Sequence, residues 1–393
     1  MAIIALTELI RNSLDKNETA AGIFVDLQKA FDTVEHSILL KKLDHYGVRG
    51  VANDLFKSYL QDRYHCVKIE NTYSDYTVIK HGVPQGSVLG PLLFLIYIND
   101  LRNAIKHSNT IHFADDTSLL CQGKSLNKIN KHVNHDLTQL VSWLRANKIS
   151  LNAAKTEIII FRTKNSAIQK SLNFRLSGQR VQLSKKVKYL GIDIDEHLNW
   201  SSHIAVLLNK LSRATGILAK LRHYVNYHTI LSIYYALFDS HVNYSLQSWG
   251  HVPNESLDKI SKLQNKAMRI IHYKTNRDSV APLYLQSRIL PTHLQLKVKN
   301  CLFAFDQQRN NLPPYFRNFC KQMGTQHEHF TKSSKNKLEI SRTNTVKYGT
   351  YNISNLIAKH WNEIIPQLKI DLEKISKSTL KRNIQSFLLY DYV

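Results

Sequence analysis

Three aspartates carry the chemistry to which this sequence is best suited. Phe113-Ala114-Asp115-Asp116 lies 89 residues beyond Asp26 in Phe24-Val25-Asp26-Leu27, so each acid stands at the end of an apolar, β-like run. Neighbouring carboxylates repel one another, and a strand end or hairpin tip holds them best with a cation between them. Hard oxygen ligands select Mg²⁺, with Mn²⁺ able to substitute, and two such ions held by aspartates serve phosphoryl transfer. The plain alternative is a hairpin turn, which aspartate also favours.

The elements that must position these acids are read from periodicity. Residues 21–27 form an apolar run suited to a buried strand. Asp32 then stands as an N-cap with Glu35 three residues on, opening a helix with Val34, Ile38 and Leu43 on its apolar face and Gly47 at its stop. A second helix is expected over 52–61, and residues 66–70 and 76–80 alternate like the strands of a hairpin through 71–74. Pro84-Gln85-Gly86-Ser87 interrupts the chain before an apolar helix over 88–101, with Ser87 as its cap. Residues 110–120 read as two β-runs around the Asp-Asp tip. Ser125 opens a long helix in which Leu126, Ile129, Val133, Leu137, Leu140 and Leu144 recur at three and four. Strands at 157–161 and 187–194 and a hairpin over 174–183 around Ser177-Gly178 complete this half. After Trp200 the pattern is helical, over about 203–222, 228–239, 255–272 and 292–307, and residues 333–344 are polar and basic enough for a flexible linker.

Bulk composition sets the class of partner. The 53 Lys and Arg against 30 Asp and Glu give a formal charge of +23 in 393 residues, which favours a polyanion over a small neutral substrate. Residues 1–200 carry 26 basic and 19 acidic side chains, and residues 201–393 carry 27 and 11, so the second half is the more phosphate-seeking. Between Leu101 and Leu190 there are 16 basic and 4 acidic residues, two of the latter being Asp115 and Asp116. Cys66, Cys121, Cys301 and Cys320 are too dispersed for a zinc knuckle or a disulfide framework. The pair His132/His135 and His327-Glu328-His329 lack companion ligands at metal spacing and read as ordinary surface or core histidines. The longest apolar run, Val88 to Ile98, falls short of the ~20 residues of a membrane helix. An intracellular protein of nucleus or cytoplasm, neither secreted nor membrane-spanning, is expected.

In order along the chain, these blocks resemble the reverse transcriptases of non-LTR, LINE-type retrotransposons, the jockey-like group in particular. Gly22 to Asp32, around Phe24-Val25-Asp26-Leu27, is similar to the first catalytic motif of that family. Gly82-Val83-Pro84-Gln85-Gly86-Ser87-Val88-Leu89-Gly90-Pro91 resembles its template- and nucleotide-binding motif. Phe113-Ala114-Asp115-Asp116 resembles the second catalytic motif, with Phe113 where Tyr is common. Lys155 in Leu151-Asn152-Ala153-Ala154-Lys155-Thr156 is similar to its lysine block, and Tyr189-Leu190-Gly191 to its primer grip. Five such blocks in register are far more specific than any one of them. Leu312-Pro313-Pro314-Tyr315, Tyr348-Gly349 and Trp361-Asn362 resemble the region that follows the polymerase in these elements.

The resemblance implies an α+β, right-hand polymerase fold: a palm of antiparallel sheet and helices with partial fingers over 1–194, a helical thumb over 195–290, and a C-terminal helical region over 291–393. It implies RNA-directed DNA synthesis from dNTPs on an RNA template and a DNA primer, with Asp26, Asp115 and Asp116 as ligands of two Mg²⁺ ions. Phe31 would exclude a ribose 2′-hydroxyl, or else be plain core. Pro84, Gln85 and Gly86 would contact nucleotide and template, or else form a helix-entry turn. Lys155 would serve the departing pyrophosphate, or else be a surface cation. Lys210, Arg213, Lys220 and Arg222 are thumb candidates for the duplex backbone. Only 25 residues precede Asp26, fewer than the fingers of the family occupy, so an N-terminally truncated chain with impaired nucleotide capture is expected. The rival readings are an inactive retroelement remnant that binds RNA or DNA, and an RNA-templated RNA polymerase.

Overall fold

A computed structural model describes residues 1–166, 172–323 and 336–392. The chain divides into two compact units, one of residues 17–190 and one of residues 3–16 with 191–393. Among the described residues no helix is long and apolar enough to cross a membrane.

The first unit is built on a five-stranded sheet in the order Leu183–Ser184, Glu157–Phe161, Thr19–Val25, Asp116–Gly123, Ser108–Phe113. Every pairing is antiparallel except that of Leu183–Ser184 with Glu157–Phe161. Thr19–Val25 is buried along its whole length, as its unbroken apolar composition requires of a central strand. Ala21, Ile23 and Val25, with Leu119, Cys121, Ile158 and Ile160, share one core with Leu93, Phe94, Ile129, Val133, Leu137 and Leu140 of two helices, Leu89–Ile98 and Leu126–Ala146. Each Val, Leu, Ile or Phe among them contributes roughly 1.5–3 kcal/mol through the apolar surface it removes from water.

Most expected elements of this unit are present, and three differ. Asp32 caps no helix: residues 29–33 form a turn, its carboxylate is engaged elsewhere, and the helix begins at His36. Glu35, in the cap position, accepts from Lys148 Nζ at 2.9 Å instead of capping. The exposed hairpin turns at Glu70-Asn71, because Lys68 pairs with Tyr73 and Ile69 with Thr72. The single strand expected over 187–194 is two, Lys186–Tyr189 and Ile192–Asp195, broken by left-handed backbone at Leu190 (φ 45°) and Gly191 (φ 78°).

The second unit is helical. Ser201–Leu221, Tyr227–Tyr234 with a π-helical turn at Tyr235–Asp239, Asn254–Ile271, Thr292–Gln308, Ile353–Leu368 and Lys377–Tyr392 are its main helices. Trp200, Trp249 and Trp361 are among its largest fully buried side chains. Helix Ala2–Asp15 belongs to it too, whereas the sequence reading grouped residues 1–194 together. Three charged side chains of this helix explain its membership. Glu8 accepts the N–H of Ile353 at 2.9 Å. Arg11 donates to the carbonyls of Lys347 and Tyr351 and touches His251. Asp15 accepts from the N–H and hydroxyl of Thr345. A Cβ at Gly349 would collide with the Asp15 carboxylate and Thr343, so glycine alone fits there.

Residues 336–344 are no free linker. Leu338 is buried, its backbone N–H and C=O both bond the Asn362 amide at 2.8 Å, and Trp361 Nε1 donates to the Asn336 carbonyl. Leu338 pins the segment while Glu339 to Arg342 stay exposed. Residues 333–335 and His327-Glu328-His329 lie outside the described residues.

Candidate active site

Asp26 follows the central strand directly, and Asp116 opens the strand beside it. In the register Phe24 faces Ser118 and Val25 faces Thr117, so one further step sets Asp26 across from Asp116. Asp115 sits in the two-residue turn that joins Phe113 to its partner Asp116. Ala114 takes left-handed backbone there (φ 53°), a strained choice for a residue with a Cβ. The three acids thus occupy neighbouring strand ends, and their charges interact. Burial, then the negative charges of Asp115 and Asp26, hold the Asp116 carboxyl above the ordinary range.

That mutual repulsion is the observation on which a cation fits, since binding one would relieve all three acids. Their oxygens do not all fall within 4.8 Å of one another. The tightest group of potential ligands among the described residues lies elsewhere, at His107, His135 and Asp136. His107 is the companion that His132 and His135 lacked in sequence, its ring stacked on that of His132. Asp136, however, is fully buried and already accepts the N–H groups of Lys106 and His107 and the Ser108 hydroxyl, so it anchors a turn.

Lys155 is brought to Asp26 by a short pairing, Leu27 with Leu151 and Gln28 with Ser150, continued by the Asn152 N–H donating to the Asp26 carbonyl at 2.9 Å. Asp26 and Lys155 line one open cavity of about 550 Å³, together with Lys29, Thr33 and Asn152, which sequence reasoning passed over. Lys29, three residues after Asp26, was the available signal.

Phe31 is half-buried, its ring 4.6 Å from that of Phe94. Its carbonyl accepts the Val83 N–H, and the Val34 carbonyl accepts that of Gly82, which lays the Pro84-Gln85-Gly86 loop along the segment after Asp26. Gln85 Nε2 donates to Asp32 Oδ1 at 2.7 Å. Asp32, which the sequence reading assigned to a cap, instead holds the Gln85 side chain. A Cβ at Gly86 would meet open space, and what requires glycine is its φ of 80°. Ser87 does receive a helix N–H, from Gly90 at 2.9 Å.

Of the primer-grip triplet, Tyr189 is buried with its ring 5.1 Å from Phe24 and its hydroxyl bonded to Ser118. Burial pushes that phenol up to about 12, and the charge of Asp116 adds to the effect. Leu190 and Gly191 form the strand break already described. In the helical unit, Lys210, Arg213 and Lys220 are exposed on Ser201–Leu221, within about 80° of its circumference at 100° per residue. Arg222 instead lies over the Tyr273 ring at 4.6 Å.

Residues 4–194 match the model of the family described as "Reverse transcriptase (RNA-dependent DNA polymerase)". Among curated proteins, the chain is 29% identical over 315 residues to "Probable RNA-directed DNA polymerase from transposon BS" of Drosophila melanogaster, covering 74% of this chain and 32% of that protein. It is 27% identical over 332 residues to "RNA-directed DNA polymerase from mobile element jockey" of the same organism, covering 80% and 34%. The chain thus spans about a third of the length of the relatives it matches. Among solved structures it is similar to apo telomerase from Candida Tropicalis, with TM-score 0.40 and 14% identity over 83% of this chain and 55% of that one.

Proposed function

We propose, from the premise that residues 4–194 belong to the reverse transcriptase family as it occurs in LINE-type, jockey-like elements, that this chain extends a DNA primer with dNTPs on an RNA template. The observation that carries the reading is the placement of Asp26, Asp115 and Asp116 at adjoining strand ends, where the charges of two of them add to burial in raising the third.

In this reading Asp26 and Asp115 hold the divalent cations and Asp116 supports them. Bound there, two Mg²⁺ ions, or Mn²⁺ in their place, supply activation of the primer 3′-hydroxyl and neutralisation of the triphosphate. The protein does the remainder by placement. Lys155, which lines the same cavity as Asp26, can neutralise or protonate the departing pyrophosphate. Phe31 presents an apolar ring where a 2′-hydroxyl would find neither room nor a hydrogen-bond partner. Gln85, held by Asp32, and the flanking Pro84 and Gly86 contact nucleotide and template. Tyr189, Leu190 and Gly191 steady the primer end.

We take residues 17–190 as the palm with partial fingers and 195–290 as the thumb, with Lys210, Arg213 and Lys220 meeting backbone phosphates and residues 291–393 following. Primer extension on poly-rA/oligo-dT, with dNTPs or NTPs and beside a binding assay, tests the reading. Mg²⁺-dependent dNTP incorporation should fall at least ~10³-fold in Asp115→Asn with duplex binding retained, as loss of an ion ligand at a two-metal centre predicts. Binding without extension by the parent chain would mark an inactive remnant, and extension with NTPs alone an RNA polymerase.

A further inference from the structure

His132 and His135 lie three residues apart on helix Leu126–Ala146, a spacing that sets both side chains on one face. The fold adds a third imidazole. His107 immediately precedes the edge strand Ser108–Phe113, and its ring centre stands 4.1 Å from that of His132 and 5.0 Å from that of His135. All three belong to the unit of residues 17–190. His107 is exposed and the other two are half-buried, so an ion can reach the cluster from solvent.

Asp136 assembles this cluster without joining it. Its carboxylate is closed to solvent and accepts the N–H groups of Lys106 and His107 and the Ser108 hydroxyl, which fixes the turn that brings His107 beside the helix. His135 Nδ1 lies 3.3 Å from Asp136 Oδ1. A carboxylate offers only acceptors, so the imidazole donates there through Nδ1–H and keeps a lone pair on Nε2. Metal-binding histidines are prepared in this way, one ring nitrogen held by a carboxylate and the other free to ligate.

The spacing also suits one ion. Two imidazoles on a tetrahedral metal, with metal–nitrogen bonds of about 2.1 Å, have ring centres about 5 Å apart. His107 and His135 already stand so. His132 lies face to face with His107, at an interplanar angle of 10°, and a turn of its ring about Cβ–Cγ, a torsion with broad minima, aims a nitrogen at the same ion. Imidazole nitrogen selects Zn²⁺, Cu²⁺ or Ni²⁺ over Mg²⁺ and Ca²⁺. We propose that His107, His132 and His135 form a binding site for a divalent transition metal of the Zn²⁺ type, with solvent as the fourth ligand. The ion ties the start of strand Ser108–Phe113 to helix Leu126–Ala146, at the opposite end of that strand from the Asp115-Asp116 turn. It braces the hairpin and takes no part in nucleotidyl transfer, so the site does not depend on the polymerase reading.

The test is titration of the full chain, stripped with EDTA and dialysed, with Zn²⁺ followed by calorimetry and with Co²⁺ as a spectroscopic probe. One equivalent of Co²⁺ should give the visible bands of a tetrahedral site, which Zn²⁺ abolishes and Mg²⁺ does not. His107→Gln, His132→Gln and His135→Gln should each weaken Zn²⁺ binding at least tenfold, whereas His327→Gln, in the stretch His327-Glu328-His329, should leave it unchanged. Thermal unfolding without metal verifies that each variant is folded, and His107→Gln, at an exposed position, carries the reading if a helix variant is not. Absence of Zn²⁺ binding, unchanged affinity in any folded variant of the three, or loss of binding in His327→Gln instead would overturn the proposal.

Discussion

Phe31 shows how a single side chain can act through its neighbours. Its ring leans on Phe94 and its carbonyl is held by Val83, so helix Leu89–Ile98 and the Pro84 loop together set where the ring stands. Replacing it by valine keeps an apolar side chain but clears the space of the ring. In primer extension, Phe31→Val should raise ribonucleotide use relative to deoxynucleotide use by roughly tenfold or more, the scale at which removing a steric barrier shifts selectivity. Unchanged discrimination with lowered stability would make Phe31 core alone. Asp32, one residue on, was illegible for an instructive reason. An Asp followed three residues later by Glu is the local signature of a helix start, and nothing local distinguishes it from an Asp awaiting Gln85, more than fifty residues away.

At the scale of elements, legibility followed burial and locality. Leu126–Ala146 was readable because one face is buried and the other wet. Ile129, Val133, Leu137, Leu140 and Leu144 are all buried as spaced. The hairpin at Ser177-Gly178 was readable because both turn residues need positive φ. The anchoring of residues 336–344 was not, since it depends on partners distant in sequence, and the break at Leu190-Gly191 was hidden because a leucine at positive φ carries no turn signal. Helix Ser201–Leu221 supports a prediction of its own. His203 is buried against the rings of Trp200 and Trp249, and burial brings its imidazole down to about 4. The folded state thus disfavours the proton that the unfolded chain takes up near pH 6.5. Stability from this group is complete above pH 6.5 and is lost as pH falls toward 4, by an amount on the order of 3 kcal/mol. Tryptophan fluorescence during urea unfolding should record a shallower acid loss in His203→Phe. Equal slopes for the two chains would refute the account. Glu8 acts in the opposite sense, because burial raises it to about 7 and its contribution is lost as pH rises from 4.5 to 7.

For the whole molecule, the sheet-bearing unit of residues 17–190 is inserted in the sequence of the helical unit, which begins at residue 3 and resumes at 191. Arg11 is the firmest tie across that gap. It is fully buried, and burial lowers its guanidinium to about 10 even with Glu8 nearby. Arg11→Ala would strand the Lys347 and Tyr351 carbonyls and His251 in the interior. A loss of about 3 kcal/mol or more is expected. Hydrogen exchange should show it as faster exchange in residues 346–356 and little change in the sheet; uniform change throughout, or none, would count against the assignment. Composition revealed that the second half is the more basic, and it offered no sign that a helix near residue 10 completes it.

That threading makes the order of synthesis matter. Helix Ala2–Asp15 is synthesised well before its partners, and the residues that receive Arg11 follow more than three hundred positions later. At about 5–20 residues per second the nascent helix waits tens of seconds with Ile3, Leu6, Ile10 and Leu14 unsheltered. A chaperone would find its hold there, and the arrival of residues 346–356 decides whether that helix is ever covered.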